Sequence, residues 1–238
     1  MEAIGKVLDL NRAVSPDLSK PVKAEGVTLE VYFRNLEDHV VEHIRDADAI
    51  VGCVAWLTSP RILGALASVQ RGVSIIVQKE EFLRPDLGVR NSDKWRQYLR
   101  SRYAALRSLE CWPDTLNMVT DALIEDMRIE PIRCAGMVRE GYPAQPRMHH
   151  KFLVFCKRKS APRKPVDKEE VTDWPKPYAV WTGSFNFTNN GNHSLENAVF
   201  IEDQSVAQRY YEEWQNVAWL SESLDWTSRW VVQEWSVT

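Results

Sequence analysis

The chain has 238 residues, a length that suits one sizeable domain or one domain carrying an inserted subdomain. Its 44% hydrophobic content supports an ordinary buried core, which excludes disorder along the full length. A formal net charge of −3 excludes a polycation that binds nucleic acid with its whole surface, so attraction to phosphate has to come from a local patch.

Cys53, Cys111, Cys134 and Cys156 are widely spaced and form no CxxC or Cys/His ligand pattern. Cys53 and Cys156 sit inside apolar runs, where a cysteine serves as a small buried hydrophobe. This usage argues against a disulfide framework or a zinc site and fits a reducing compartment. The opening "MEAIGKVLDLNR" is charged throughout and lacks the apolar core of a signal peptide. The run "AIVGCVAWL" falls far short of the roughly 20 residues that a membrane helix needs. The expectation is a soluble, cytoplasmic protein with no stable membrane association, built from an N-terminal extension (1–26) and one domain (27–238).

In chain order, "VTLEVYFR" (Val27–Arg34) has the β-branched and aromatic content of a strand. "NLEDHVVEHIRDAD" follows as a helix with Leu36, Val40, Val41 and Ile44 on one face and Asn35 as its N-cap. "AIVGCVAWL" suits a strand buried on both faces. "SPRILGALASVQRG" is a helix that Ser59 caps, Pro60 starts and Gly72 closes. "VSIIVQ" is another buried strand, and the alternation argues for an α/β sandwich. A helical insertion spans about 80–130, with the basic "SDKWRQYLRSRYAALRSLECW" followed by a second helical segment, "PDTLNMVTDALIEDMRI". It reads as a specificity element or as a docking surface for a protein partner.

"EPIRCAGM" restores strand character before "RMHHKFLVF" (Arg147–Phe155). After that strand, Lys157, Arg158, Lys159, Arg163, Lys164 and Lys168 lie among prolines, which reads as a basic surface loop over 157–178. "YAVWTGSFNFT" and "LENAVFIE" read as strands, with His193 in the turn between them. The Trp-rich region 204–238 reads as a helix and tail, with Ala207, Tyr210, Tyr211, Trp214, Val217 and Ala218 sharing a face and Trp226, Trp230 and Trp235 beyond. Such tryptophans serve as core or interface more often than as a base-stacking platform.

Residues two apart in a strand face the same way, so His149 and Lys151 share one side. His150, Phe152 and Val154 take the other, which makes His150 a buried packing neighbour. Ser184 and Asn186 likewise share a face, with Phe185 and Phe187 opposite. A lysine, a hydroxyl and an amide supply three kinds of donor for phosphate oxygens. Glu196 follows ten residues after Asn186.

Taken together, "HHKFLVF", "GSFNFT" and "LENAV" resemble the phospholipase D superfamily, whose signature is H-x-K, four residues, Asp, then G-S-x-N. The wording is similar to its single-motif nucleases, such as the bacterial endonuclease Nuc and the mitochondrial Zucchini type. The resemblance covers most of Val27–Ser221 outside the insertion. It implies a phospholipase D-like α-β-α sandwich with a mixed central sheet and a helical insertion.

The resemblance also implies roles. His149 attacks phosphorus and forms a phosphohistidine; Lys151, Ser184 and Asn186 hold the phosphate oxygens; Glu196 hydrogen-bonds the His149 imidazole. A second histidine must protonate the leaving oxygen. With one H-x-K in the chain, the family's solution is a homodimer in which two copies of His149 meet across a two-fold axis. No metal and no cofactor is implied, since lysine and polar donors take the cation's place. The family's aspartate is Cys156 here, on the far face of the strand. The substrate is DNA or RNA, with Arg147, Lys157, Arg158, Lys159 and the basic run Lys94–Arg107 as substrate-binding candidates. The alternatives are a phospholipid phosphodiesterase and a catalytically silent nucleic-acid-binding module.

Overall fold

The computed structural model describes residues 22–23, 28–83, 93–110, 128–136, 147–157 and 176–224. Val22–Lys23 (β1) and Leu29–Tyr32 (β2) pair antiparallel at one edge of the sheet. β1 therefore belongs to the domain rather than to an extension preceding it. Asn35 follows in a left-handed conformation, φ 54°, and occupies the cap position of Leu36–Arg45 (α1) without a side-chain cap bond. The expected apolar face of α1, namely Leu36, Val40, Val41 and Ile44, is buried. All six residues of Ala49–Val54 (β3) are buried, as an apolar strand flanked on both faces requires.

The Ser59 hydroxyl accepts a hydrogen bond from the Ile62 amide and Pro60 opens Pro60–Ala67 (α2), as expected. This helix stops at Ala67, earlier than Gly72. Gly72 instead turns the chain into Val73–Gln78 (β4) at φ +86°, where a Cβ would lie 2.3 Å from the Ser108 carbonyl oxygen. A one-turn 3₁₀ helix, Glu81–Leu83, precedes Asp93–Ala104 (α3), the helical part of the insertion.

Leu109–Glu110 (β5) and Arg128–Ile129 (β6) form a separate two-stranded ribbon where the second helical segment was expected to end. Cross-strand backbone pairing there overrides the local helical pattern. The remainder of that segment, most of the basic loop, and Trp226, Trp230 and Trp235 lie outside the described residues.

Ile132–Ala135 (β7), Lys151–Lys157 (β8), Lys176–Gly183 (β9) and Ala198–Ile201 (β10) complete an eight-stranded sheet in the order β1-β2-β10-β9-β8-β3-β4-β7. The β3–β4 and β4–β7 pairs are parallel and the rest antiparallel, so the sheet is mixed. Helices cover both faces. Residues of α1, α2 and α3 share one apolar cluster with Leu153, Phe155 and Trp181. Gln204–Trp219 (α5) covers the other face, where Ala207, Tyr211, Trp214, Val217 and Ala218 pack on Phe152, Val154 and Cys156. Trp181 and Trp214 are fully buried, so these two tryptophans serve the core. This is the expected α-β-α sandwich.

The segment after α5 is clamped to the parallel edge of the sheet. The Lys79 ammonium, fully buried just past β4, bonds the Glu222 carboxylate. The Arg133 guanidinium donates to the Ser221 hydroxyl at 2.8 Å and to the Ser221 carbonyl at 3.1 Å. A buried cation costs several kcal/mol to desolvate and is tolerated because its counter-charge stays with it. In urea denaturation, Lys79→Met is therefore expected to lower the unfolding free energy by about 3–5 kcal/mol, by stranding a buried carboxylate. Lys79→Met combined with Glu222→Leu is expected to recover most of that loss.

Candidate active site

The central strand β8 delivers the histidine–lysine pair. Its approach is pinned by backbone contacts: the Met148 amide donates to Gln78 Oε1 at 2.7 Å, and the Ala55 amide donates to the His150 carbonyl at 2.9 Å. His149 remains exposed, while Lys151, the first residue of β8, keeps 9% of its surface accessible. The Lys151 Nζ lies 3.2 Å from Nδ1 and 3.3 Å from Nε2 of His149, and 3.0 Å from the His149 carbonyl oxygen, to which it donates.

Burial and the surrounding charges together bias the protonation of both groups. His149 is held below the ordinary histidine value of 6.5 by partial desolvation, then by the positive charges of Lys151, Arg147 and His150. Burial lowers Lys151 as well, and the nearby Glu196 carboxylate opposes that shift. The result is a neutral imidazole against an ammonium, an arrangement suited to nucleophilic attack on an anionic phosphodiester.

The second motif lies beyond β9, which ends at Gly183, so Ser184–Asn186 form a turn rather than the continuation of a strand. Their alternation persists, with Phe185 and Phe187 buried and Ser184 and Asn186 half-buried. A Cβ at Gly183 would lie 2.2 Å from the Asn197 carbonyl oxygen, and this close approach brings Ser184 against the strand opposite. The Ser184 amide donates to the Asn197 carbonyl at 3.1 Å, and the Asn197 amide donates to the Ser184 hydroxyl oxygen at 3.1 Å.

The Ser184 hydroxyl in turn donates to the Glu196 carboxylate. The expected Glu196–His149 hydrogen bond is thus replaced by a Glu196–Ser184 bond. Its cause is the register: Ala198 pairs with Gly183 across β10 and β9, which sets Asn197 opposite Ser184 and brings Glu196, one residue before it, within reach of the hydroxyl. Glu196 acts on the histidine–lysine pair through its charge on Lys151.

His150 is exposed rather than buried. It pairs with Glu213 of α5 at 3.1 Å and lays its ring against Phe152 at 5.6 Å. β8 starts only at Lys151, so Phe152, not His150, takes the inward position on that face. Cys156 lies in the apolar cluster under α5, on the face opposite Lys151, and burial pushes its thiol well above the ordinary cysteine range. It is a core residue, as its place in the strand predicts.

The proposed substrate-binding cations fare differently. Arg147 forms an ion pair with Glu80 at 3.5 Å. Lys157 ends β8, about 20 Å along the strand from Lys151 at about 3.3 Å per residue. There it lies 5.5 Å from the centre of the Tyr178 ring. Arg158 and Lys159 lie outside the described residues. In the basic run of the insertion, Arg100, Arg102 and Arg107 donate to the carbonyls of Leu83, Pro60 and Gln70. These arginines fasten α3 and its end to the domain.

A residue not anticipated is Trp56. Its indole N–H donates to Glu80 at 3.0 Å, and its ring meets the His149 ring edge-on at 5.8 Å. The signal for it was its place just past β3, the strand that pairs Val54 with Lys151. Trp56 also lines a cleft of about 500 Å³ that Asn186 and Glu196 border.

Residues 40–218 match the family of cardiolipin synthase, phospholipase D-like domains. Uncharacterized protein L381 of Acanthamoeba polyphaga mimivirus is 32% identical over 236 residues, which cover 94% of this chain and 76% of that protein. Two solved structures are similar at low identity. Nuc of Salmonella typhimurium, a phospholipase D family member, is 18% identical with a TM-score of 0.43, over 85% of this chain and 97% of its own. NucT from Helicobacter pylori is 11% identical with a TM-score of 0.47, over 82% and 98%.

Removal of the Lys151 charge is expected to raise the His149 titration midpoint toward 6.5, because the imidazolium no longer faces an ammonium. The check is an NMR titration of the His149 ring in Lys151→Met and the parent chain. An unmoved midpoint would mean that the contact does not set the histidine's protonation.

Proposed function

The chain belongs to the phospholipase D-like domain family, and on that footing we propose that it is a metal-independent phosphodiesterase cleaving DNA or RNA through a phosphohistidine on His149. The observation that carries this reading is the Lys151 ammonium seated against a neutral His149, with Ser184 tied to Glu196 at the second motif.

In the proposed reaction the neutral His149 imidazole attacks phosphorus. A nitrogen–phosphorus bond forms and the bond to the leaving oxygen breaks. Lys151 neutralises charge on the non-bridging oxygens, the Asn186 amide donates to them, and the Ser184 hydroxyl does so by turning its proton from Glu196 to the phosphate. The leaving oxygen takes a proton from a protonated second imidazole, His149 of the partner protomer in a homodimer. That imidazole then removes a proton from water as the water attacks the phosphohistidine, releasing a phosphate monoester and restoring both side chains. One imidazole neutral and its counterpart protonated is the division of labour such a pair requires. Glu196 holds the Ser184 hydroxyl and balances the Lys151 charge.

The first test is cleavage of labelled single- and double-stranded DNA and RNA in excess EDTA. The parent chain is expected to cut, and His149→Ala to lose activity by about a thousandfold or more. Cleavage that needs added metal would overturn the metal-independent route. Turnover of phospholipid vesicles in place of nucleic acid would favour a phospholipid phosphodiesterase. Salt-sensitive binding by both proteins without cleavage would leave a binding module.

A second expectation concerns pH. As pH falls, protonation removes the nucleophile, so kcat/KM is expected to drop with an acidic limb centred below 6.5. At high pH it falls again as the second imidazole loses its proton. A pH–rate profile decides this, and an acidic limb centred above 6.5 would contradict the assignment.

A further inference from the structure

The cleft beside Trp56 has a composition that phosphate binding does not require. Its aromatic side carries Trp56, Phe82 and Trp95, with Phe82 and Trp95 in tilted contact at 5.4 Å between ring centres. Trp95, on the first turn of α3, leaves 45% of its surface exposed. A large apolar ring left this exposed forgoes part of the stabilisation that burial would give. The same lining carries amides: Asn186 from the second motif, then Asn189 and Asn190 from the short helix Asn189–His193 (α4), which Thr188 caps. The Asn186 Oδ1 is buried and has no hydrogen-bond partner among the described residues.

Aromatic rings and amide donors and acceptors lining one cleft match the two needs of an unpaired nucleobase. The ring stacks, and its polar edge takes hydrogen bonds. The location also fits, because Trp56 reaches both the cleft and the His149 ring. An occupant of the cleft would thus adjoin the phosphorus-reactive group.

We propose that this cleft is a nucleobase subsite: a base of the nucleotide next to the reacting phosphodiester stacks on Trp95 and presents its polar edge to Asn186 and α4. The placement of the phosphate rests on the phosphodiesterase reading, whereas the base subsite is tested by binding alone. A base inside a duplex is already stacked and paired, so the subsite selects single strands or extruded bases. It also gives the insertion a role. Its arginines fasten α3 to the domain, and α3 holds Trp95 over the cleft.

The experiment measures binding of a thymidine pentanucleotide, and of the same sugar–phosphate chain without bases, in EDTA by fluorescence anisotropy. Both are titrated into His149→Ala protein with Trp95, Trp95→Ala or Trp95→Phe. Trp95→Ala is expected to weaken pentanucleotide binding about tenfold, in line with base–aromatic stacking elsewhere. Trp95→Phe, which keeps a ring, is expected to retain most of the affinity. The chain without bases is expected to bind all three proteins equally. Equal weakening of both ligands by Trp95→Ala would overturn the subsite, as would no weakening of either. So would an effect confined to phosphatidylcholine vesicles, since an aromatic pocket also accepts quaternary ammonium groups. Base-dependent binding by a chain that proves unable to cleave any phosphodiester would sink the hydrolase reading and leave the subsite standing.

Discussion

The Lys151 ammonium stands at the mouth of the central strand with most of its surface removed from water, and the candidate site is arranged around that charge. A cation so placed needs compensation on every side. The His149 carbonyl accepts one of its protons and the Glu196 carboxylate supplies opposite charge. Its position depends in turn on the sheet, since β8 is flanked by β9 and β3 and buried by helices on both faces. His149 is held below the ordinary histidine value first by partial desolvation and then by the charge of that ammonium.

The two halves of the candidate site are linked by strand register, with Glu196 bonded to Ser184 rather than to His149. β8 carries the histidine and lysine, while the β9–β10 corner carries Ser184 and Glu196. The close packing of Gly183 on Asn197 leaves no room for a side chain at that corner, and there the Ser184 hydroxyl holds the Glu196 carboxylate. The clamp formed by Lys79, Glu222, Arg133 and Ser221 ties the chain after α5 to the β4–β7 edge, away from this corner.

Much of the fold was legible because its signals are local. The spacing of Leu36, Val40, Val41 and Ile44 reports a helix face, and the unbroken apolar runs of β3 and β4 report strands covered on both sides. Ser59 and Pro60 mark the start of α2 through backbone chemistry that operates within one turn. The failures are equally physical. Strand parity made His150 an inward residue, but β8 begins one residue later. Lys157 seemed to join the site through its closeness in sequence, although seven strand residues carry it to the far end of β8. The arginines of the insertion read as a phosphate patch, yet carbonyls of Leu83, Pro60 and Gln70 take their donors.

By itself the sequence determined the α/β alternation, the pairing of His149 with Lys151 on one side of a strand, and the motif spacing that identifies the family. Each depends on backbone periodicity or on residue order, which need no knowledge of distant partners. Only the tertiary structure decided that Glu196 bonds Ser184, that Trp56 meets His149, and that Trp56, Phe82 and Trp95 gather beside Asn186. Those relations join positions as far apart in the chain as Trp56 and Asn186. They arise from strand order, register and helix docking, none of which any one segment encodes alone.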